Sequence, residues 1–263
     1  MFGLQTASPI EQFEILPIVP IEIGGMDFSF TNSSLWMLIG VTATTFFFIA
    51  ATSRRALIPG RLQSAAEVLH EFISDLVRDT IGDEGRKFFP YVFTLFIFIL
   101  VANFLGLFPS IPGLPHALHT FTTTSQIVVT FALAMLTIVI VIVYGLLKNG
   151  LGFFKLFAPS GLPWWLYPLL VPIEVISFLS RPISLAVRLF ANMFAGHIIL
   201  KLFATFVVMM LGAGGVVAAL GIAPFVLTIG VTMLEVLVAA LQAYVFAILT
   251  CIYLSDAAHA ADH

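Results

Sequence analysis

The chain has 263 residues, of which 60% are hydrophobic and only 10% charged, with a net charge of −3. A soluble domain is nearer about half apolar and about a quarter charged, so this chain has too few polar side chains to cover a water-facing surface, and a bilayer is its simplest solvent. A pI near 6.0 gives no basic surface for nucleic acid, and a single cysteine, Cys251, excludes an intrachain disulfide framework and a multi-cysteine metal site.

Residues 1–33 carry Pro9, Pro17 and Pro20 and read as an extended or irregular leader. Met1 to Pro20 include Glu11 and Glu14 but no Lys or Arg, which argues against a secretory signal or a basic transit peptide. The first span runs from Leu35 to about Thr52, with Ser33 or Ser34 as its cap and Arg54-Arg55 as an interfacial anchor. It is just long enough, since a crossing needs roughly 20 apolar residues. Residues 61–81 differ. Leu62, Ala65, Ala66, Leu69, Phe72, Ile73, Leu76 and Ile81 recur at helical spacing, opposite Glu67, His70, Glu71, Asp75, Arg78 and Asp79. This pattern predicts an amphipathic helix lying on the membrane surface.

Phe88 to Phe108 is the second span, closed by Pro109 and Pro112, and Ser125 to Leu147 is the third, stopped by Lys148-Asn149-Gly150. Asn103, inside the second span, reads as a helix–helix hydrogen bond. His116 and His119 read as residues of an exposed loop, not as a metal pair, and Trp164 and Trp165 as an aromatic belt. Residues 163–211 are mostly apolar with no long polar break. As one helix they would extend about 73 Å against a hydrocarbon core of about 30 Å, so the segment is tilted, kinked or divided. Pro168, Pro172 and Pro182 offer kinks, and Gly212 to Gly215 a turn into a second long segment, about 216–254. The expected architecture is an all-α integral membrane protein, a single membrane domain over 1–263. It has about five crossings, one interfacial helix and a long, steeply tilted hairpin over 163–254. Lys and Arg cluster in the 53–88 and 148–162 connections and are missing from the leader and from 109–124. That places the N-terminus outside and, after five crossings, the C-terminus inside.

Ionisable groups stand inside the hairpin: Glu174, Arg181, Arg188, His197, Lys201 and Glu235. A charge near the bilayer centre costs at least about 2.5 kcal/mol, so each is a functional candidate. Glu174, Arg181 and Arg188 recur every seven positions on nearly one stripe, with Ser184 one turn before Arg188 and Asn192 one turn after it. Glu174 is a candidate structural partner of Arg181, and Arg181 and Lys201 also read as snorkelling from helix ends. Glu235 and Gln242 share a face of the last helix, and His197 lies about half a rotation from Arg188, where it would line a separate cavity. Arginine stays protonated and cannot relay protons by titrating, but it draws a carboxylate and holds it ionised. Histidine and glutamate exchange protons when their surroundings shift them. Together with asparagine and glutamine they suit a water-filled half-channel.

The stretch SLAVRLFANMFAGH, Ser184 to His197, resembles the signature helix of the a subunit of rotary ATP synthases, with its intramembrane Arg, an Asn four later and an Ala-Gly pair. EVLVAALQAYVFAILT in the last segment resembles a second signature, an acidic or histidine position followed seven later by Gln. NFLGLFP and the leader SPIEQFEI are similar to family segments too. The resemblance implies that Arg188 is the stator arginine facing the c-ring carboxylates. It implies that Asn192, His197, Glu235 and Gln242 belong to the outer half-channel, and Glu174 and Ser184 to the inner path. In some bacterial relatives the positions of His197 and Glu235 hold Glu and His instead, so the pair is kept in composition. The implied partners are the c-subunit ring, b-type peripheral-stalk subunits and the F1 head. The implied setting is a bacterial or mitochondrial inner membrane. No cofactor or metal is implied, and with no phosphate loop in the sequence the chain is read as a non-catalytic subunit.

Two rivals remain in view. A stand-alone secondary ion transporter would often show inverted repeats, and none is visible. An intramembrane metalloprotease would need a motif such as HExxH, which is missing.

Overall fold

A computed structural model describes residues 13–53, 56, 58–108, 120–157 and 163–259. Arg54, Arg55, Pro109, Pro112, His116, His119, the first part of the leader motif and the last four residues lie outside the described residues.

Five helical stretches are long and apolar enough to cross a membrane: Asn32–Ser53, Phe89–Leu107, Ile127–Asn149, Tyr167–Ala213 and Gly215–Ala258. Their physical basis is simple. In hydrocarbon a backbone must satisfy its own N–H and C=O groups, and a helix does so within one segment. We label the helices α1 (Asn32–Ser53), α2 (Arg61–Ile81), α3 (Phe89–Leu107), α4 (Ile127–Asn149), α5 (Tyr167–Ala213), α6 (Gly215–Leu220) and α7 (Ile222–Ala258). The protein is therefore an all-α, multi-pass membrane protein, with α2 as the amphipathic element.

The leader departs from the irregular chain expected. Pro17–Val19 pairs antiparallel with Phe30–Thr31, and Glu22–Ile23 with Met26–Asp27. Gly24 and Gly25, at φ 61° and 83°, make the turn between the inner pair, a geometry that glycine adopts without strain. The cap of α1 also differs from the expected Ser33 or Ser34. The Ser34 N–H donates to Thr31 Oγ1 at 3.3 Å, so Thr31 is the capping residue. Asn32 instead ties the leader down: it accepts from Leu16 N at 3.2 Å and donates to Glu14 O at 3.0 Å.

Contacts divide the chain into two units. The first takes the described residues of Met1–Val41, Leu100–Gln126 and Leu189–Leu241. Here α5 ends at Gly214 and Gly215, both at positive φ (70° and 58°). The long final segment breaks once more at Gly221, whose added Cβ would lie 3.3 Å from Met210 Cβ.

The second unit takes Thr42–Ile99, Ile127–Arg188 and the described residues of Gln242–His263. In it α2 buries Ala66, Ile73, Val77 and Ile81 and leaves Leu62, Val68 and Phe72 largely exposed. The Phe72 ring lies 6.0 Å from Phe96 and 5.7 Å from Tyr244, so the expected apolar stripe is split between packing and exposure. At the end of α4, Asn149 donates to Ala257 O at 2.7 Å. Gly145 leaves room for the buried Phe153 ring, which a Cβ there would overlap.

Within the expected long segment, α5 is one uninterrupted helix of 47 residues with Pro172 and Pro182 inside it. The divided alternative is thereby excluded. At 1.5 Å per residue α5 extends about 70 Å, more than twice the hydrocarbon thickness of about 30 Å. It cannot stand along the membrane normal and stay inside.

Glu84, in the turn before α3, accepts hydrogen bonds from Lys148 Nζ and from Tyr144 OH, the latter at 3.2 Å. The Lys148 bond, then the Tyr144 bond, hold its carboxyl below the ordinary value of 4.5. A lowered carboxylate stabilises the fold above its unfolded pKa and loses that contribution as pH falls through the lowered value. Glu84→Gln should therefore lower the thermal midpoint of the detergent-purified chain at neutral pH. The gap to wild type should close in acid buffer. A gap independent of pH would mean that the carboxylate charge contributes nothing.

Candidate functional site

The second unit holds Glu174, Ser184 and Arg188 of α5, and Gln242 of α7. Arg181 does not pair with Glu174. Its Nη1 donates to Asp256 Oδ2 at 2.9 Å, and its guanidinium lies over the rings of Tyr253 (4.9 Å) and Phe178 (5.4 Å). A partner on another helix satisfies it, and two aromatic faces shield it. That corrects the expectation of a Glu174 partner and removes Arg181 from the free charges. Glu174 and Gln242 are half-buried, and Ser184 and Arg188 are exposed. Among the described residues Arg188 makes no hydrogen bond or ion pair. The exposed residues near it along the helix are the apolar Ile183 and Val187 and the polar Ser184 and Asn192.

The first unit holds Asn192, His197 and Glu235. Asn192 is exposed. His197 of α5 and Glu235 of α7 are brought together: Nδ1 lies 3.4 Å from Oε1. They are 9% and 4% exposed. What lets them meet is Gly196. A Cβ there would stand 2.6 Å from Glu235 Oε1, so a side chain would occupy the space the carboxylate uses. The other imidazole nitrogen, Nε2, lies 2.7 Å from Thr122 Oγ1. Both Glu235 oxygens are buried with no hydrogen-bond partner among the described residues. Buried carboxylates are normally satisfied. One that is not, beside a histidine, has the makings of a proton-exchange site.

Asn103 of α3 makes the helix–helix bond expected of it. Its Nδ2 donates to Ala239 O at 3.0 Å, and its Oδ1 accepts from Thr124 at 2.7 Å. Sequence reasoning missed Thr122 and Thr124, and also Phe13, whose ring lies 4.6 Å from Phe194 and 6.5 Å from His197. The available signal was the run Thr122-Thr123-Thr124-Ser125, four hydroxyl residues just before an apolar span.

Fold and site define a multi-pass membrane protein with ionisable groups placed inside its long final helices. The sequence profile of the family described as "ATP synthase A chain" matches residues 34–255. Relatives named "ATP synthase subunit a" include one from Chelativorans sp., 59% identical over 251 residues (95% of this chain and 97% of the relative). One from Agrobacterium fabrum is 58% identical over 251 residues (95% and 97%), and one from Maricaulis maris is 57% identical over 253 residues (96% and 97%). The chain belongs to the ATP synthase subunit a family, membrane components of the Fo sector.

The Gly196 contact makes a test of the geometry that needs no activity. Gly196→Ala should cost about 1–3 kcal/mol by overpacking, seen as a lower thermal midpoint of the purified chain. Shortening the opposing residue, Glu235→Ala, should recover part of that loss. Two independent, additive losses would mean that residues 196 and 235 do not touch.

Proposed function

We propose that the chain couples transmembrane proton flow to rotation, supplying two aqueous half-channels and a fixed positive charge against a ring of c subunits. A proton enters from outside through the His197–Glu235 region, with Asn192 and Gln242 on the same path. It neutralises a c-ring carboxylate, which then moves into lipid. After nearly a full turn the carboxylate meets the inner path, near Glu174 and Ser184, releases its proton and returns to Arg188. The remaining partners are b-type stalk subunits and the F1 head, where ATP chemistry takes place, so this chain itself is non-catalytic. The chain acts as one membrane domain over 1–263, its N-terminus outside and its C-terminus inside. It works in a bacterial or mitochondrial inner membrane, with the ion path on the long hairpin, which lies steeply tilted.

The observation that carries this reading is the setting of Arg188, exposed on a long, apolar helix and, among the described residues, without a hydrogen bond or ion pair. A guanidinium cannot escape by deprotonating, and leaving it in hydrocarbon costs at least about 2.5 kcal/mol. A carboxylate presented by a neighbouring subunit offsets that cost, and an ion pair that forms and breaks as the neighbour moves is what a rotary stator needs. His197 and Glu235 add the complement, a buried pair able to change protonation.

The test is ATP-driven proton pumping by inverted vesicles carrying the assembled complex, Arg188→Ala against wild type. Pumping is expected to vanish while the complex stays intact and passive proton leak rises. Normal coupled pumping would make Arg188 structural and end this proposal.

A further inference from the structure

We propose that Thr122 is the positioning residue of the outer proton path, its hydroxyl holding the His197 imidazole with Nδ1 turned to Glu235. This rests on the proposed role of His197 and Glu235. The geometry is specific. Thr122 is 6% exposed, and its Oγ1 lies 2.7 Å from His197 Nε2 while Nδ1 faces Glu235 at 3.4 Å. The backbone carbonyl of Thr122 is taken by Ser125, through its N–H at 3.0 Å and its hydroxyl at 2.6 Å. The Thr122 hydroxyl has no partner but the ring among the described residues.

The segment carrying it is fixed from two sides. Thr124 is bound to Asn103, which is bound to Ala239 O, one helical turn beyond Glu235 on α7. Gly106 of α3 lies directly behind Thr122, so close that any Cβ there would overlap the Thr122 side chain. Loop, α3 and α7 thus set the hydroxyl relative to the same stretch of α7 that carries Glu235.

A hydroxyl suits this place because it both donates and accepts. A negative carboxylate 3.4 Å from Nδ1 favours by its charge the neutral tautomer with the proton on Nδ1, and in that tautomer Nε2 accepts from the Thr122 hydroxyl. When the ring takes a second proton, both nitrogens donate, and the Thr122 oxygen accepts after a rotation about its C–O bond. One residue therefore satisfies His197 in both states without moving the ring. The titratable or charged groups acting on the ring are Glu235, from α7, and Lys201, on α5 itself. The leader contributes the uncharged ring of Phe13.

The experiment compares Thr122→Val and Thr122→Ser in the assembled complex, by the rate and pH profile of ATP-driven proton pumping in inverted vesicles. Valine keeps the branch and removes the hydroxyl. It should slow pumping about tenfold, the equivalent of one lost hydrogen bond. It should also move the profile toward acid, because the charged ring loses the stronger bond. Serine should restore most of the rate and the wild-type profile. In a His197→Ala background the valine change should add little, since both act through one imidazole. A wild-type rate and profile for Thr122→Val, or equal impairment by serine, would overturn the role of Thr122. If the valine chain does not assemble, Thr122→Ala against Thr122→Ser reads the same contrast. Normal pumping by His197→Ala would instead sink the proton path itself.

Discussion

A polar side chain in hydrocarbon has no water to turn to, so it must find a partner within the protein or be met by one from outside. Most polar groups in the spanning helices meet that demand internally. Asn103 spends its amide on Ala239 O and its carbonyl on Thr124. Arg181 has Asp256 and two aromatic faces. Thr130, Thr137 and Thr250 bond carbonyls of their own helices. Thr123 Oγ1 is buried without a hydrogen-bond partner among the described residues, and two charged residues also stand out. Among the described residues, Glu235 has buried oxygens with no hydrogen-bond partner, and Arg188 is an exposed charge with none. Neither gains stability from a hydrogen bond within the described residues, and both belong to the site proposed above.

The same constraint explains where the small residues are. Between helices in lipid there is little hydrophobic drive to associate, and close approach depends on residues without bulk. Gly196 admits the Glu235 carboxylate, and Gly106 admits Thr122. In both cases a polar group sits where a side chain would otherwise be, and hydrogen-bond reach follows from the missing Cβ. The polar site is thus set by backbone approach as much as by the groups that carry the chemistry. Thr122, His197 and Glu235 stand on different elements, so the distances between them depend on how closely those elements approach.

Much of this fold is legible in the amino-acid sequence alone. Spans show in sequence because their signal is local and strong: about twenty apolar residues in a row leave little room for error except at the ends. The amphipathic α2 is legible from its period. The leader strands are not, because strands of two or three residues have no period to read and are set by Gly24-Gly25 and by Asn32 reaching back to the chain. Arg181 misleads for a different reason. Heptad spacing points along its own helix to Glu174, whereas its partner, Asp256, is 75 residues away in sequence. Intramembrane charges announce themselves by their cost. Hydroxyl residues carry no such cost, since they can bond their own backbone, and so nothing in the Thr122 to Ser125 run singles out the one whose hydroxyl turns to His197.

Fixed and titratable charge have to be kept apart if both are to work. An arginine placed beside Glu235 would hold the carboxylate ionised and so remove it from the proton exchange proposed for it. A histidine at position 188 would lose its charge whenever its proton left, and a lysine sheds its charge more readily than arginine when desolvated. Under the proposed mechanism, either would open a route for protons at the point that has to stay closed. Arg188 and His197 are nine positions apart in sequence, about half a rotation at 100° per residue. By that periodicity a helix can present a charge that cannot be neutralised on one face and a ring that can on the other.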